Sequence, residues 1–382
     1  MRRSLAVVAA ALAVAAVAAT AHSADASRYL RIGIYDESQT LYAPPDATFP
    51  LYRELKIQEL RVNLYWGGRL GVATRRPTDA RDAADPAYRW DVYDRTVRLA
   101  AGDGIRIVFS IYGTPGWANG GRGQNVPPAS AADLRNFSYA AASRYSGSFA
   151  DGDGAMLPAV KEWLAWNEPN NPVFLRSQYR RVGGRWVVQS AIDYAHICTA
   201  VYGGVHATLV PSERVACGAT APRGNNGPRS TRPSVSPMAF LRAVHAAGLE
   251  TFDAWAHHPY YAGPADRPTS RPPRGVAATS VTFGNLSDLI RELTRLYGPK
   301  RVWITEYGYQ TNPPDRLFGV SYARQAAYLK QSFAIARANP RVDMMLWFLL
   351  RDEPGAGGWQ SGLMTLGGKR KPSFAAFRSL TP

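Results

Sequence analysis

The segment Trp163-Leu164-Ala165-Trp166-Asn167-Glu168-Pro169-Asn170-Asn171-Pro172 opens as an apolar run of strand length and breaks off at Asn-Glu-Pro-Asn. Proline cannot donate to a strand ladder, so Pro169 ends the strand and turns the backbone away. Glu168 thereby falls at the last position of a buried strand, between Trp166 and Pro169. Apolar neighbours raise a carboxyl pKa toward neutrality, which is the setting a general acid needs. The bland alternative is a solvated glutamate in an ordinary turn. Partner residues elsewhere in the chain argue against it.

Outward from that segment, short apolar strands alternate with amphipathic helices, the pattern of a parallel α/β architecture. Eight strands are expected, at Leu30–Tyr35, Glu59–Tyr65, Ile105–Tyr112, Val160–Trp166, Arg214–Ala219, Ala254–His258, Val302–Glu306 and Asp343–Phe348. They recur about every 45 residues. That spacing fits a single (β/α)8 TIM barrel, and no Gly-rich phosphate loop follows the first strand to suggest a Rossmann sheet. Helices are expected at Ala131–Tyr145, Ile192–Leu209, Met238–Ala247, Leu286–Leu296 and Tyr322–Ala338. Pro and Gly gather after strands, in Asn119–Pro128, Pro222–Pro237, Gly263–Gly275 and Glu353–Gly362, and Gln178–Ser190 has the pattern of a hairpin around Gly183-Gly184. In a barrel the loops after strands build the functional face.

A second carboxylate stands in Arg301-Val302-Trp303-Ile304-Thr305-Glu306-Tyr307, where alternation places Val302, Ile304 and Glu306 on one face. Glu168 ends the fourth strand and Glu306 the seventh, so the two face each other across the barrel mouth. Cleaving a glycosidic bond takes such a pair: one carboxyl protonates the leaving oxygen, the other attacks or activates water. Arg61 and Asn63 share a face of the second strand, and Arg61 is a cation suited to keep a nucleophile ionised. His258-Pro259-Tyr260 offers an imidazole and a phenol, with Tyr260 a donor for Glu306, and Asn167 can bond a sugar hydroxyl. Trp66, Trp117, Trp166, Trp347 and Trp359 fall at or just past strand ends, and an apolar sugar face stacks on indole. Of these, Trp166 and Trp347 are taken as the contacts.

Composition bounds the rest. The residues 1–26 carry Arg2-Arg3, an Ala/Val-rich run and small-residue cleavage patterns, as a secretory signal does, leaving 27–382 as the catalytic barrel. The apolar run is shorter than the ~20 residues that span a bilayer. The expectation is therefore a secreted or periplasmic protein with no membrane span. The formal charge of +16 raises the question of nucleic acid. The arginines are spread along the chain with no basic run longer than Lys369-Arg370-Lys371, so no nucleic-acid partner is expected. An acidic polysaccharide stays open as a ligand. The six histidines show no metal-ligand spacing, and neither metal nor cofactor is expected. Cys198 and Cys217 could form one bridge or stay as two buried thiols. One lies on a helix and the other on an apolar strand, which favours thiols.

Trp166-Asn167-Glu168-Pro169-Asn170 together with Thr305-Glu306-Tyr307-Gly308 resembles the acid/base and nucleophile strands of the clan A glycoside hydrolases. Gly113-Thr114-Pro115-Gly116-Trp117, His258-Pro259-Tyr260 and Lys371-Pro372-Ser373-Phe374-Ala375-Ala376-Phe377 resemble family 39, with family 5 near. The family 5 pattern has a His on the third strand, where this chain has Tyr112 and Trp117. The resemblance implies a retaining O-glycosidase acting by double displacement on a poly- or oligosaccharide. It assigns Glu168 as acid/base, Glu306 as nucleophile, Asn167 to the sugar 2-hydroxyl, and Tyr260 to the nucleophile. The rival expectations are a glycan-binding barrel without catalysis and an electrostatic binder of anionic polymer. A decayed site would have lost a glutamate, and a polymer binder would cluster its arginines on one face.

Overall fold

A computed structural model describes residues 30–355 and 357–381. The signal read at 1–26 lies outside them. Eight parallel strands close on themselves, each paired with its neighbours in sequence: β1 Arg31–Tyr35, β2 Glu59–Tyr65, β3 Arg106–Tyr112, β4 Glu162–Ala165, β5 Arg214–Thr220, β6 Ala254–His257, β7 Arg301–Tyr307 and β8 Val342–Phe348. Eight longer helices follow them in turn: α1 Pro45–Glu54, α2 Asp91–Gly102, α3 Ala131–Arg144, α4 Gln189–Val205, α5 Pro237–Ala246, α6 Leu286–Tyr297, α7 Tyr322–Ala338 and α8 Pro372–Arg378. The protein is a (β/α)8 barrel, and every expected strand and helix is present within a few residues of its expected ends. Among the described residues no helix is long and apolar enough to cross a membrane.

Two apolar shells hold the fold. Outward strand residues such as Ile32, Ile34, Val62, Leu64, Val302 and Ile304 pack under the helices. Inside the barrel, Val108, Leu164, Ala216, Ala254, Ala256, Met344 and Leu346 surround Trp303. One large indole among several alanines fills the interior, as close packing of a tapering barrel requires. Arg180–Val182 and Arg185–Val187 form the expected hairpin, with Gly183 (φ 54°) and Gly184 (φ 79°) in the left-handed region at its turn.

Three strands depart from strict alternation, β8 by one extra residue between Val342 and Met344, where β7 advances only from Val302 to Trp303. Between Met345 and Trp347 on β8 the partner strand β7 advances from Ile304 to Tyr307, so β7 carries one extra residue. Likewise β5 runs from Cys217 to Thr220 while β6 runs only from Trp255 to His257. Such bulges re-aim side chains at barrel rims. Alternation had put Glu306 on the face of Val302 and Ile304, which is the helix-facing side. The bulge corrects that placement and turns Glu306 into the mouth beside Thr305.

The cysteines also differ from expectation: Cys198 on α4 and Cys217 on β5 are bridged, with Cα atoms 6.0 Å apart. The helix lies directly on the strand, its Tyr194 hydroxyl accepting from Gly218 N at 2.6 Å and donating to Ala165 O at 2.8 Å, which brings the two thiols together. A bridge across a separation of 19 residues stabilises by ~3 kcal/mol in the loop-entropy view. The double variant Cys198→Ser/Cys217→Ser should fold, with urea unfolding showing a loss of ~2–4 kcal/mol. Failure to fold, or no change in midpoint, contradicts this.

Candidate active site

Glu168 follows β4 in a turn of unusual backbone, with Trp166 at φ 72° and Glu168 at φ 38°. Left-handed non-glycine residues cost of order 1 kcal/mol or more and persist only when neighbours hold them. Here Trp166 N bonds Ile111 O and Glu168 N bonds the carbonyl of Ala219, the bulged residue of β5, each at 2.9 Å. The bulge in β5 thus fixes one carboxylate and the bulge in β7 the other.

The two meet across the mouth: a carboxyl oxygen of each, with a ring nitrogen of His258, lies within 4.8 Å of the others. Arg61, wholly buried, reaches Glu306 Oε2 at 3.3 Å through Nη1 and Asn167 Oδ1 at 2.6 Å through Nη2. Tyr260 donates to Glu306 Oε1 at 2.9 Å. His258 Nδ1 lies 3.0 Å from Glu168 Oε1, and Asn171 donates to Glu168 Oε2 at 3.0 Å. His258 Nε2 faces Arg61 Nη1 at 3.3 Å and Thr305 Oγ1 at 3.1 Å. A guanidinium can only donate, so Nε2 accepts and the ring proton sits on Nδ1, from which it is donated to Glu168. Burial holds His258 down at about 3, so it stays neutral.

Electrostatics then separates the carboxyls. Burial raises Glu168 to about 7, and its direct partners are a neutral imidazole and an amide. Burial raises Glu306 as well, whereas the pairing with Arg61 expected from the sequence acts to lower it. Arg61 and the Tyr260 hydroxyl oppose that rise, and Glu306 alone of the pair touches a cation. Of the two carboxyls, Glu306 is therefore the one whose ionised form a direct cation favours. Glu168, His258 and Glu306 have the donor atoms of a small metal site, but the Arg61 guanidinium already supplies the cation for Glu306.

Of the expected residues, Glu168, Glu306, Asn167, Arg61, His258 and Tyr260 come together. Trp166 and Trp347 do not present a face to a ligand. Both are fully buried, the Trp166 indole donating to Phe174 O at 2.7 Å and that of Trp347 to Ser361 O at 2.9 Å. The aromatic beside the site is Trp359, 38% exposed, its ring 5.5 Å from that of Tyr260 and 5.4 Å from that of Phe348. Its loop is pinned by Gln360, whose amide donates to the carbonyls of Glu353, Gly355 and Gly358, and by the buried Lys371–Asp352 pair at 2.7 Å. Asn171 and Thr305 were likewise not singled out. The position of Asn171, three residues after Glu168, was the available signal.

Fold and site together define a (β/α)8 barrel with two buried carboxyls facing each other at its mouth. Residues 276–377, which include β7 with Glu306 and the Trp359 loop, match the family model described as glycosyl hydrolase catalytic core. A family 39 glycoside hydrolase from the gut symbiont Bacteroides cellulosilyticus WH2 superposes with TM-score 0.60 at 20% identity, over 94% of this chain and 64% of that one. A glucosidase from Croceicoccus marinus gives 0.64 at 16% identity, over 92% and 67%. The family 1 β-glucosidase from Thermotoga maritima gives 0.55 at 13%, over 92% and 97%. The chain thus spans just under two thirds of the family 39 enzyme, and at these identities the likeness is one of fold. No curated protein matches the chain in sequence. The resemblance to clan A barrels, with family 39 among the neighbours, is the one expected from the sequence.

If Glu168 is the proton donor, kcat/KM should fall as pH rises through about 7, because deprotonation removes the group that serves the leaving oxygen. With a dinitrophenyl leaving group, which departs unaided, that limb should disappear. A pH–rate profile on both substrates checks this, and an identical limb on both contradicts it.

Proposed function

We propose that the protein is an exported, retaining O-glycoside hydrolase that cleaves a poly- or oligosaccharide by double displacement. The observation that carries this reading is the pairing of two buried carboxyls with oxygens within 4.8 Å, one in contact with a cation and the other not. Retaining enzymes hold their carboxyls ~5–5.5 Å apart, whereas inverting ones leave ~6.5–9.5 Å for a water. The separation here supports retention.

In the first step Glu306 attacks the anomeric carbon while Glu168 gives its proton to the departing oxygen, leaving a glycosyl ester on Glu306 and an ionised Glu168. That anion is met by hydrogen bonds from His258 Nδ1 and Asn171 Nδ2. In the second step Glu168 takes a proton from water, whose oxygen attacks the anomeric carbon and releases Glu306. Asn167 has its amide oxygen tied to Arg61, which leaves its NH2 group to donate to the sugar 2-hydroxyl. Trp359 supplies an apolar face beside Tyr260.

Proton NMR of the first-formed sugar from an aryl glycoside should show retained configuration. Glu168→Ala should still be glycosylated by dinitrophenyl glycosides and be rescued by azide to the retained glycosyl azide. Glu306→Ala should lose the first step and give, with azide, only the inverted product. A first-formed inverted sugar from the unmodified protein overturns the mechanism. Swapped azide anomers exchange the two roles, and full activity in both variants moves the catalytic pair elsewhere.

A further inference from the structure

The loops that surround Glu168 share a composition that the rest of the barrel mouth does not. The segments 172–190, 221–237 and 259–275 follow β4, β5 and the His258 end of β6, and together they hold ten arginines and one acidic residue, Asp266. The loop after β1 is acidic, with Asp36 and Glu37, and those after β7 and β8 mix acids with bases, among them Asp315, Asp352 and Glu353. Asp266 offsets one of the ten charges at most, and its carboxylate accepts from the backbone of Ala262 and Gly263 at 3.1 and 2.8 Å and, among the described residues, pairs with none of the arginines. All ten arginines are exposed. Among the described residues only Arg271 has an acidic partner, Asp288 on α6 at 2.8 Å.

These loops form one surface. Asn170, two residues past Glu168, donates to Ala221 O at 3.2 Å and Val235 O at 2.9 Å, and accepts from Ala221 N at 2.8 Å. Arg223 donates to Tyr261 O at 3.2 Å, joining the β5 and β6 loops. The surface therefore begins at the turn that holds Glu168. Like charges in proximity repel, so nine guanidinium groups without a direct carboxylate contact on three neighbouring loops raise the local potential. Elsewhere in the chain arginines such as Arg31, Arg106, Arg214, Arg291 and Arg295 have carboxylate partners.

We propose that this basic face binds a polyanionic polysaccharide, a glycan bearing carboxylate or sulfate groups along its chain, on the leaving-group side of the bond to be cleaved. The side follows from the chemistry. Glu168 protonates the leaving oxygen, so the departing part of the substrate lies on the Glu168 side of the sugar and meets the loops laced to Glu168. Guanidinium groups bind carboxylate and sulfate through paired N–H donors and hold their charge at any working pH. The inference rests on the glycosidase reading for its side of the bond and for a sugar polymer as the ligand.

Binding is measured on Glu168→Gln, which keeps the shape of the site without its acid, using hyaluronan and polygalacturonate for carboxylates, chondroitin sulfate for sulfates and xylan as an uncharged control. Single-stranded RNA is the competing polyanion. A rim variant, Arg180→Ser/Arg185→Ser/Arg229→Ser/Arg232→Ser, is compared with an equal change of charge on helices, Arg53→Ser/Arg242→Ser/Arg291→Ser/Arg295→Ser, and thermal unfolding confirms that each folds. The expected result is tighter binding of at least one acidic glycan than of xylan or RNA, weakened tenfold or more by salt and by the rim changes and less than twofold by the helix changes. Chondroitin sulfate carries carboxylates too, so its binding without that of hyaluronan points to sulfate, and equal binding of both points to carboxylate. Equal losses in both variants, RNA binding as tight as the glycans, or no preference over xylan overturns the proposal. Hydrolysis of aryl glycosides by the unmodified protein reports separately: cleavage without acidic-glycan binding sinks this inference alone, whereas specific binding without cleavage of any glycoside sinks the enzymatic reading and leaves a binding face.

Discussion

The buried Arg61 guanidinium organises the centre of this barrel's mouth. Arg61 has no exposed surface, and the Glu306 carboxylate is its acidic partner at 3.3 Å. Taking an ion out of water costs several kcal/mol unless a counter-charge and hydrogen bonds replace the solvent. Arg61 meets that requirement with Glu306, the Asn167 amide oxygen and the Thr305 carbonyl, and its guanidinium carbon sits 4.3 Å from the centre of the Tyr35 ring. Those partners come from β1, the β4 turn and β7, so solvating one charge fixes the relative positions of three parts of the site. The same charge makes the two glutamates unequal. It also forces the His258 tautomer, because an imidazole nitrogen facing a guanidinium has to accept. Electrostatic preorganisation of this kind costs no rearrangement when charge develops during a reaction.

The barrel was legible because its strands are short apolar runs punctuated by Gly and Pro, and because the Asn-Glu-Pro turn ends one of them. Five of the six site residues were legible because they stand at or just past strand ends, and Arg61 because alternation within β2 turns it inward with Asn63. Alternation failed at Glu306 because a bulge adds a residue without any composition signal, and β7 reads as regular in sequence. It also misled on the tryptophans. Proximity to a strand end says how far up the barrel Trp347 lies, but its neighbour Leu346 takes the inward face and leaves the indole under the helices. Trp359 was among the strand-end indoles in sequence. What brings it beside the site is a loop whose shape depends on Gln360, Lys371 and Asp352, contacts between residues up to 19 apart. The helices α1 and α2 escaped notice for local reasons: α1 has Pro50 inside it, and α2 follows a long loop rich in Asp and Arg.

Charge is where sequence order and spatial order diverge most. Along the chain the arginines look evenly scattered, and that scatter argued against a nucleic-acid partner while leaving an acidic polysaccharide open. A parallel barrel sends the segments after every strand to one end, so residues 176, 229 and 267, far apart in sequence, come out on neighbouring loops. Clustering in such a fold has to be judged by which side of a strand a residue falls on, and by that measure the excess is concentrated after β4, β5 and β6.

The opposite end of the barrel treats its charges differently. There Arg106, Glu59, Arg31, Glu162, Arg214, Asp343 and Arg301 alternate in sign around the strand starts and pair in sequence, with Arg106–Glu59 at 2.7 Å, Arg214–Glu162 at 2.6 Å and Arg214–Asp343 at 2.8 Å. Burial and the neighbouring Glu162 raise Glu59 to about 7, and the flanking guanidinium groups act against that rise. A ring of this kind produces little field outside the protein, since each charge is cancelled within a few ångströms. At the mouth the loops beside Glu168 omit the acids that would do the same. One fold thus holds two arrangements of the same residue type. Where strands begin, arginine is spent on cohesion between neighbours, and where they end beside the proton donor, it is left free to face an anion from solution.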